Sequence, residues 1–231
     1  MKSDLDVGNM YFTDWIRYEL ADYLNVSFDK LYFYHDRLRS SFADNYTLVQ
    51  YENLTLPGKL DSSYKELIKK ASQIYDWTEK TIPIYSKHFA DSVCQKVKLL
   101  NYNPDLNSVY NTTAEKTIDV LFYGWYSSRR EKIVAKIKEK HPDWTILTSE
   151  SSINAFTKNQ LIENISKTRW VLCVGGYDIN DCPSDVLRTT PALNYGANLL
   201  METFADETYM HYLKSNFSHR IQFLTKDYFN E

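Results

Sequence analysis

The residues best suited to chemistry lie in the segment IDVLFYGWYSSRREKIVAKIKEK, residues 118–140. An apolar run ends in Gly124, two aromatics and two serines follow, and Arg129 and Arg130 then open an amphipathic pattern. A helix starting near Ser128 aims its unsatisfied N–H groups and the positive end of its dipole back toward the end of the preceding strand. Ser127 or Ser128 can cap it. Two adjacent cations at that end oppose the dipole, which costs stability unless an anion shares the position. Guanidinium forks match phosphate oxygens, so the arrangement suits a pyrophosphate. The plainer alternative is a pair of solvated surface arginines with Glu131 as a local partner.

A second group stands in VLCVGGYDINDCPSDVLRTTPALNYGANLLMETF, residues 171–204. Gly175 and Gly176 end an apolar run and permit close backbone approach by a ligand. Tyr177 begins a polar loop containing Asp178, Asn180 and Asp181. Pro183, with Ser184 or Asp185 near the cap, opens a helix that carries Arg188 and Thr189 in its early turns. Gly196 ends that helix, and Glu202 falls at the carboxyl end of the next apolar run. In an open parallel sheet, ligands bind beyond the carboxyl ends of the strands. The expected ligand-binding set is therefore Gly124, Ser127, Arg129, Arg130, Gly176, Tyr177, Asp185, Arg188, Thr189 and Glu202. Arginines and helix starts would take phosphate, and Glu202 would take ribose hydroxyls. The alternative is an ordinary capping loop with a solvent-facing glutamate.

These groups need strands and helices to position them. Residues 10–24 put Phe12, Ile16, Leu20 and Leu24 on one helical face. Apolar runs at 29–35, 46–52, 72–77 and 96–102 read as strands, with helical patterns at 61–71 and 81–93 between the later ones. The Pro-, Asn- and Thr-rich stretch 103–117 reads as a linker. Beyond it, strands at 118–124, 144–149, 169–176, 198–204 and 220–225 alternate with helices at 128–140, 157–167, 184–195 and 206–214. Such alternation predicts an α/β fold of two Rossmann-like domains with parallel sheets, residues 1–115 and 116–231, the first reduced in size.

Composition narrows the partners. The 231 residues are 43% hydrophobic and 25% charged, with a net charge of −3, so no general affinity for nucleic acid is implied. No apolar run reaches bilayer length, and the first dozen residues lack the apolar core of a signal peptide. Cys94, Cys173 and Cys182 show no metal-ligand spacing, which fits a reduced, cytoplasmic protein. The Asn-x-Ser/Thr sequons then reflect an asparagine-rich composition.

Taken together, the two segments resemble GT-B-fold glycosyltransferases, specifically the small glycosyltransferase-like group used in surface-polysaccharide synthesis. The resemblance rests on IDVLFYGWYSSRREKI, TRWVLCVGGYD and LRTTPALNYGANLLMETF, with TLVQYENL and ASQIYDWTEKTIPIYSKH upstream, and covers most of residues 45–205. Multidomain glycosyltransferases of large algal viruses, where rhamnose is a donor sugar, are similar in size and texture; that likeness implies a host-cytoplasmic enzyme and further domains on a larger polypeptide. The resemblance implies an acceptor domain first and a nucleotide-sugar domain second, with chemistry in the cleft between them. It further implies a UDP-sugar donor in preference to a GDP-sugar, a glycan or lipid-linked glycan acceptor, and no cofactor. Arg129, Arg130, Arg188 and the helix start at 184–188 would stabilise the leaving diphosphate without a metal. One departure is that the positions of the common Glu-x7-Glu pair are Pro183 and Pro191, which weakens a retaining mechanism and favours an inverting one.

Inversion needs a general base beside the acceptor hydroxyl. Asp4, Asp6, Asp14, His35 and Glu52 are candidates, with Asp6, His35 and Glu52 preferred; each could equally be a turn or hydrogen-bonding residue. A non-catalytic nucleotide-sugar-binding module is the second reading. A dehydrogenase or methyltransferase ranks low, because no G-x-G-x-x-G follows a strand.

Overall fold

The computed structural model describes residues 10–39, 41–54, 56–104, 114–149, 155–176 and 184–229. The chain forms two compact units: Arg17–Tyr102, and the described residues of Met1–Ile16 together with those of Asn103–Glu231. Helix α1 (Phe12–Tyr23) carries the chain from one into the other. Asp14 is exposed on its first turn.

The unit Arg17–Tyr102 contains β1 (Leu31–Tyr32), β2 (Thr47–Gln50), α2 (Ser62–Lys70), β3 (Gln73–Asp76), α3 (Ile82–His88), α4 (Asp91–Cys94) and β4 (Val97–Leu99). Its four strands are all parallel and lie in the unbroken order β1-β2-β3-β4. Tyr64, Leu67 and Ile68 of α2, Tyr85 of α3 and Val93 of α4 share one core with Leu48 and Ile74 of the sheet. Every crossover steps in the same direction, so among the described residues this sheet has no point at which strand order reverses. The first strand is shorter than the apolar run predicts. Asp36 accepts the Phe33 N–H (2.7 Å) and draws residues 34–38 into a 3₁₀ turn. The single helix expected over 81–93 is broken, because Phe89 and Ala90 adopt extended backbone between α3 and α4.

The second unit contains β5 (Ile118–Phe122), α5 (Ser128–Lys140), β6 (Ile146–Thr148), α6 (Lys158–Ser166), β7 (Thr168–Cys173), α7 (Val186–Asn194), β8 (Asn198–Met201), α8 (Glu207–Phe217) and β9 (Ile221–Phe223). All five strands are parallel, in the order β6-β5-β7-β8-β9. Alternation along each strand sorts the core. Val120, Phe122, Leu172, Val174 and Leu200 pack with Ile133, Val134 and Ile137 of α5, and the buried residues between them face the opposite side. Both faces are covered, so the strands read as continuous apolar runs. The chain leaves β5 in one direction to reach β6, then returns past it to β7. The order therefore reverses between β5 and β7, and open α/β sheets place their ligand crevice at the carboxyl ends of such a pair. Among the described residues no helix is long and apolar enough to cross a membrane.

Candidate functional site

The site is built on the loops that leave β5 and β7. Gly124 turns the chain at φ +119°, a conformation costly for any residue with a Cβ. Its N–H donates to Ser149 Oγ (3.0 Å), and the Ser149 hydroxyl donates back to the Gly124 carbonyl (3.1 Å), which ties this loop to the end of β6. Three residues on, Ser127 caps α5 by accepting the Arg130 N–H (3.4 Å). The cap starts α5 at Ser128 and sets Arg129 and Arg130 in its first turn.

The two arginines reach different carbonyls at the end of β7. Arg130 is buried and donates from Nε (3.0 Å) and Nη2 (2.9 Å) to the Val174 carbonyl, and from Nη1 to that of Trp125 (2.6 Å). Arg129 donates from Nη1 to the Gly175 carbonyl (2.8 Å) and makes a two-pronged pair with Glu202 at 3.2 and 2.6 Å. The Glu202 carboxylate is wholly buried and also accepts the Gly175 N–H. From the first turn of α7, Arg188 donates to Val174 (3.2 Å) and to Asp185 Oδ2 (2.6 Å). The guanidinium carbons of Arg130 and Arg188 stand 5.4 and 5.3 Å from the Phe122 ring centroid. Thus three guanidinium groups, from two helices, meet over the carboxyl end of one strand at the reversal point.

Of the expected set, Gly124, Ser127, Arg129, Arg130, Gly176, Asp185, Arg188 and Glu202 gather here. Thr189 is buried one residue further into α7, where its hydroxyl donates to the Asp185 carbonyl (3.0 Å) and pairs with that of Tyr209. Tyr177 lies outside the described residues, as do Asp4 and Asp6. Asp185 stands at the N-cap of α7 but gives its carboxylate to Arg188 instead of to the backbone. Glu202, expected to meet ribose hydroxyls, has both oxygens engaged by Arg129 and the Gly175 N–H. It positions the arginine. Phe122, Trp125, Ser149 and the carbonyls of Val174 and Gly175 join the cluster although they are outside the expected set. For Ser149 its place at a strand end was a usable signal; backbone acceptors leave none.

His35 and Glu52 belong to the other unit, each just past a strand. His35 Nε2 faces Arg17 Nη2 at 3.1 Å, and its Nδ1 lies 3.3 Å from the Tyr51 hydroxyl. A guanidinium only donates, so Nε2 carries the lone pair and Nδ1 the proton. Arg17 also pairs with the buried Asp36 at 2.9 Å, and Arg39 meets the same carboxylate at 2.7 Å. Glu52 forms an ion pair with Lys59 at 2.6 Å. At the end of β3, Asp76 is fully buried and accepts the Tyr85 hydroxyl (2.8 Å) and the Thr78 N–H (3.2 Å). Burial pushes its carboxyl up to about 7, against the pull of hydrogen bonds from Thr81, Tyr85 and the loop backbone. The same cause lifts the hydroxyls of Tyr64 and Tyr85 well above the usual range.

Among the described residues no group of three or more His, Cys, Asp or Glu side chains is arranged to hold a metal ion. The sequence matches no family model, and no curated protein matches it. What the fold and site define is an α/β protein of two parallel sheets with an arginine cluster at the switch point of the second.

Proposed function

We propose that the chain is a glycosyltransferase of the GT-B type. It would move a sugar, such as a deoxyhexose of the rhamnose kind, from a nucleoside diphosphate onto a glycan or lipid-linked acceptor with inversion. The observation that carries this reading is the convergence of Arg129, Arg130 and Arg188 with the start of α5 at the point where strand order reverses. As the bond from the anomeric carbon to the diphosphate breaks, negative charge grows on the leaving oxygens. Guanidinium groups already held by Val174, Gly175, Asp185 and Glu202 can meet that charge without reorganising, which is the main source of electrostatic catalysis. Arg129 is the most available of the three, with 21% of its side chain exposed. The reading assigns to arginines and a helix dipole the work that a metal performs elsewhere.

A second reading, a nucleotide-sugar-binding module without turnover, is favoured by the surroundings of the candidate bases. His35 Nε2 is occupied by Arg17 and the Glu52 carboxylate by Lys59, so either must exchange its partner before accepting a proton. Calorimetric titration with UDP, GDP, UMP and UDP-sugars, followed by assay for donor hydrolysis and transfer, separates the readings. Diphosphates should bind at least about tenfold tighter than monophosphates, and Arg129→Gln should lose about ten- to hundredfold of that affinity. Binding with neither transfer nor hydrolysis selects the module. Absence of binding by every nucleotide overturns both.

A further inference from the structure

Trp125 lies between Gly124 and the Ser127 cap, and 52% of it is exposed. The other exposed large hydrophobic side chains among the described residues are Tyr11, Tyr23, Leu38 and Ile82. Of these five, only Trp125 stands on a loop leaving the carboxyl edge of the second sheet. Its backbone is fixed, because its carbonyl accepts Nη1 of the buried Arg130 at 2.6 Å. Its ring lies against Gly176. A Cβ added at Gly176 would stand 3.2 and 3.4 Å from Cζ3 and Cε3 of the indole, and 3.5 Å from the guanidinium carbon of Arg130. The absence of a side chain at Gly176 thus leaves room for the indole and the Arg130 guanidinium group side by side. A half-exposed indole beside an arginine is poised to meet a molecule that joins a flat ring to an anion.

We propose that Trp125 is the stacking platform for the nucleobase of a nucleoside diphosphate whose phosphates lie on Arg129 and Arg130. This rests on the reading of the arginine cluster as a diphosphate site. Every base presents a π-face, so stacking tolerates any of them. The platform therefore supplies affinity for a nucleotide without choosing among bases.

The test is titration of the full chain with UDP, GDP, UDP-sugar and inorganic pyrophosphate, for the unaltered protein and for Trp125→Ala, Trp125→Phe and Gly176→Ala. Trp125→Ala should weaken UDP and GDP by the same factor, about ten- to hundredfold, and leave pyrophosphate unchanged. Trp125→Phe should recover most of the loss while abolishing the quenching of tryptophan fluorescence on UDP binding. Gly176→Ala, which displaces the indole without removing it, should weaken UDP more than pyrophosphate. If pyrophosphate and UDP bind and Trp125→Ala changes neither, or weakens both alike, the platform is disproved and the diphosphate site stands. Weakening of UDP-sugar alone assigns the indole to the sugar and also disproves it. If neither UDP nor pyrophosphate binds the unaltered protein, the site and the platform fall together.

Discussion

Asp76→Asn isolates one buried charge and tests how the unit Arg17–Tyr102 holds it. An aspartate in an unfolded chain titrates near 3.9, whereas burial raises this one to about 7. Between those values the folded protein keeps a proton that the unfolded chain has released, so stability falls as pH rises from about 4 to about 7 and levels off above. Below about pH 4 both states are protonated and no penalty is felt. At 1.36 kcal/mol per pH unit the full span is about 4 kcal/mol, and the part between pH 5 and pH 8 is about 3 kcal/mol. That is a large share of the 5–15 kcal/mol typical of a domain. Asparagine has nearly the same shape, still accepts the Thr78 N–H, and carries no charge at any pH. Urea unfolding followed by the fluorescence of Trp77, which adjoins Asp76 and is the one tryptophan in residues 17–102, reads this unit. Subtracting the variant's curve from that of the unaltered protein cancels all titrations common to both. Tyr64 and Tyr85, whose hydroxyls are pushed upward, stay protonated throughout. The difference in unfolding free energy should shift by about 3 kcal/mol in the variant's favour between pH 5 and pH 8. A difference that stays constant within about 0.5 kcal/mol would refute the account of a desolvated carboxyl.

Two further substitutions probe the second unit. Gly124→Ala forces a Cβ onto backbone at φ +119° and sets it 3.3 Å from Arg188 Nη1; it should cost about 1–3 kcal/mol in denaturant unfolding and weaken UDP binding by displacing that arginine. Glu202→Gln keeps the acceptor for the Gly175 N–H but turns an amide N–H₂ toward Arg129, so urea unfolding should show a loss of about 2–3 kcal/mol. Glu202→Asp, one methylene shorter, should retain the charge and recover part of that loss.

Much of the architecture is legible along the chain, because its signals are local. Helix α5 begins and ends where Ser127 and the Ile133, Val134, Ile137 stripe predict, and α7 stops at Gly196. There the left-handed φ of 84° lets the Ala197 N–H reach back to the Ala192 carbonyl (2.9 Å). Caps and periodicity act over a few residues, so a linear reading finds them. One departure from the local pattern depends on a residue remote in sequence. The strand expected over 29–35 is cut short at Tyr32 because Asp36, anchored by Arg17, turns the backbone.

By itself the sequence determined the order of strands and helices, the apolar character that buries both faces of the second sheet, and the presence of arginines in the first turns of α5 and α7. Only the tertiary structure decided that β5 lies between β6 and β7, and so which strand ends face the reversal point. It alone brought Arg129 to Glu202, 73 positions away, and set Arg188 beside Arg130 on the Val174 carbonyl. Strand order is chosen by the packing of whole faces and by the closure of long crossovers, and no short stretch of residues encodes it. A guanidinium group fits many acceptors equally well, so its partner is whichever carbonyl or carboxylate the assembled sheet presents.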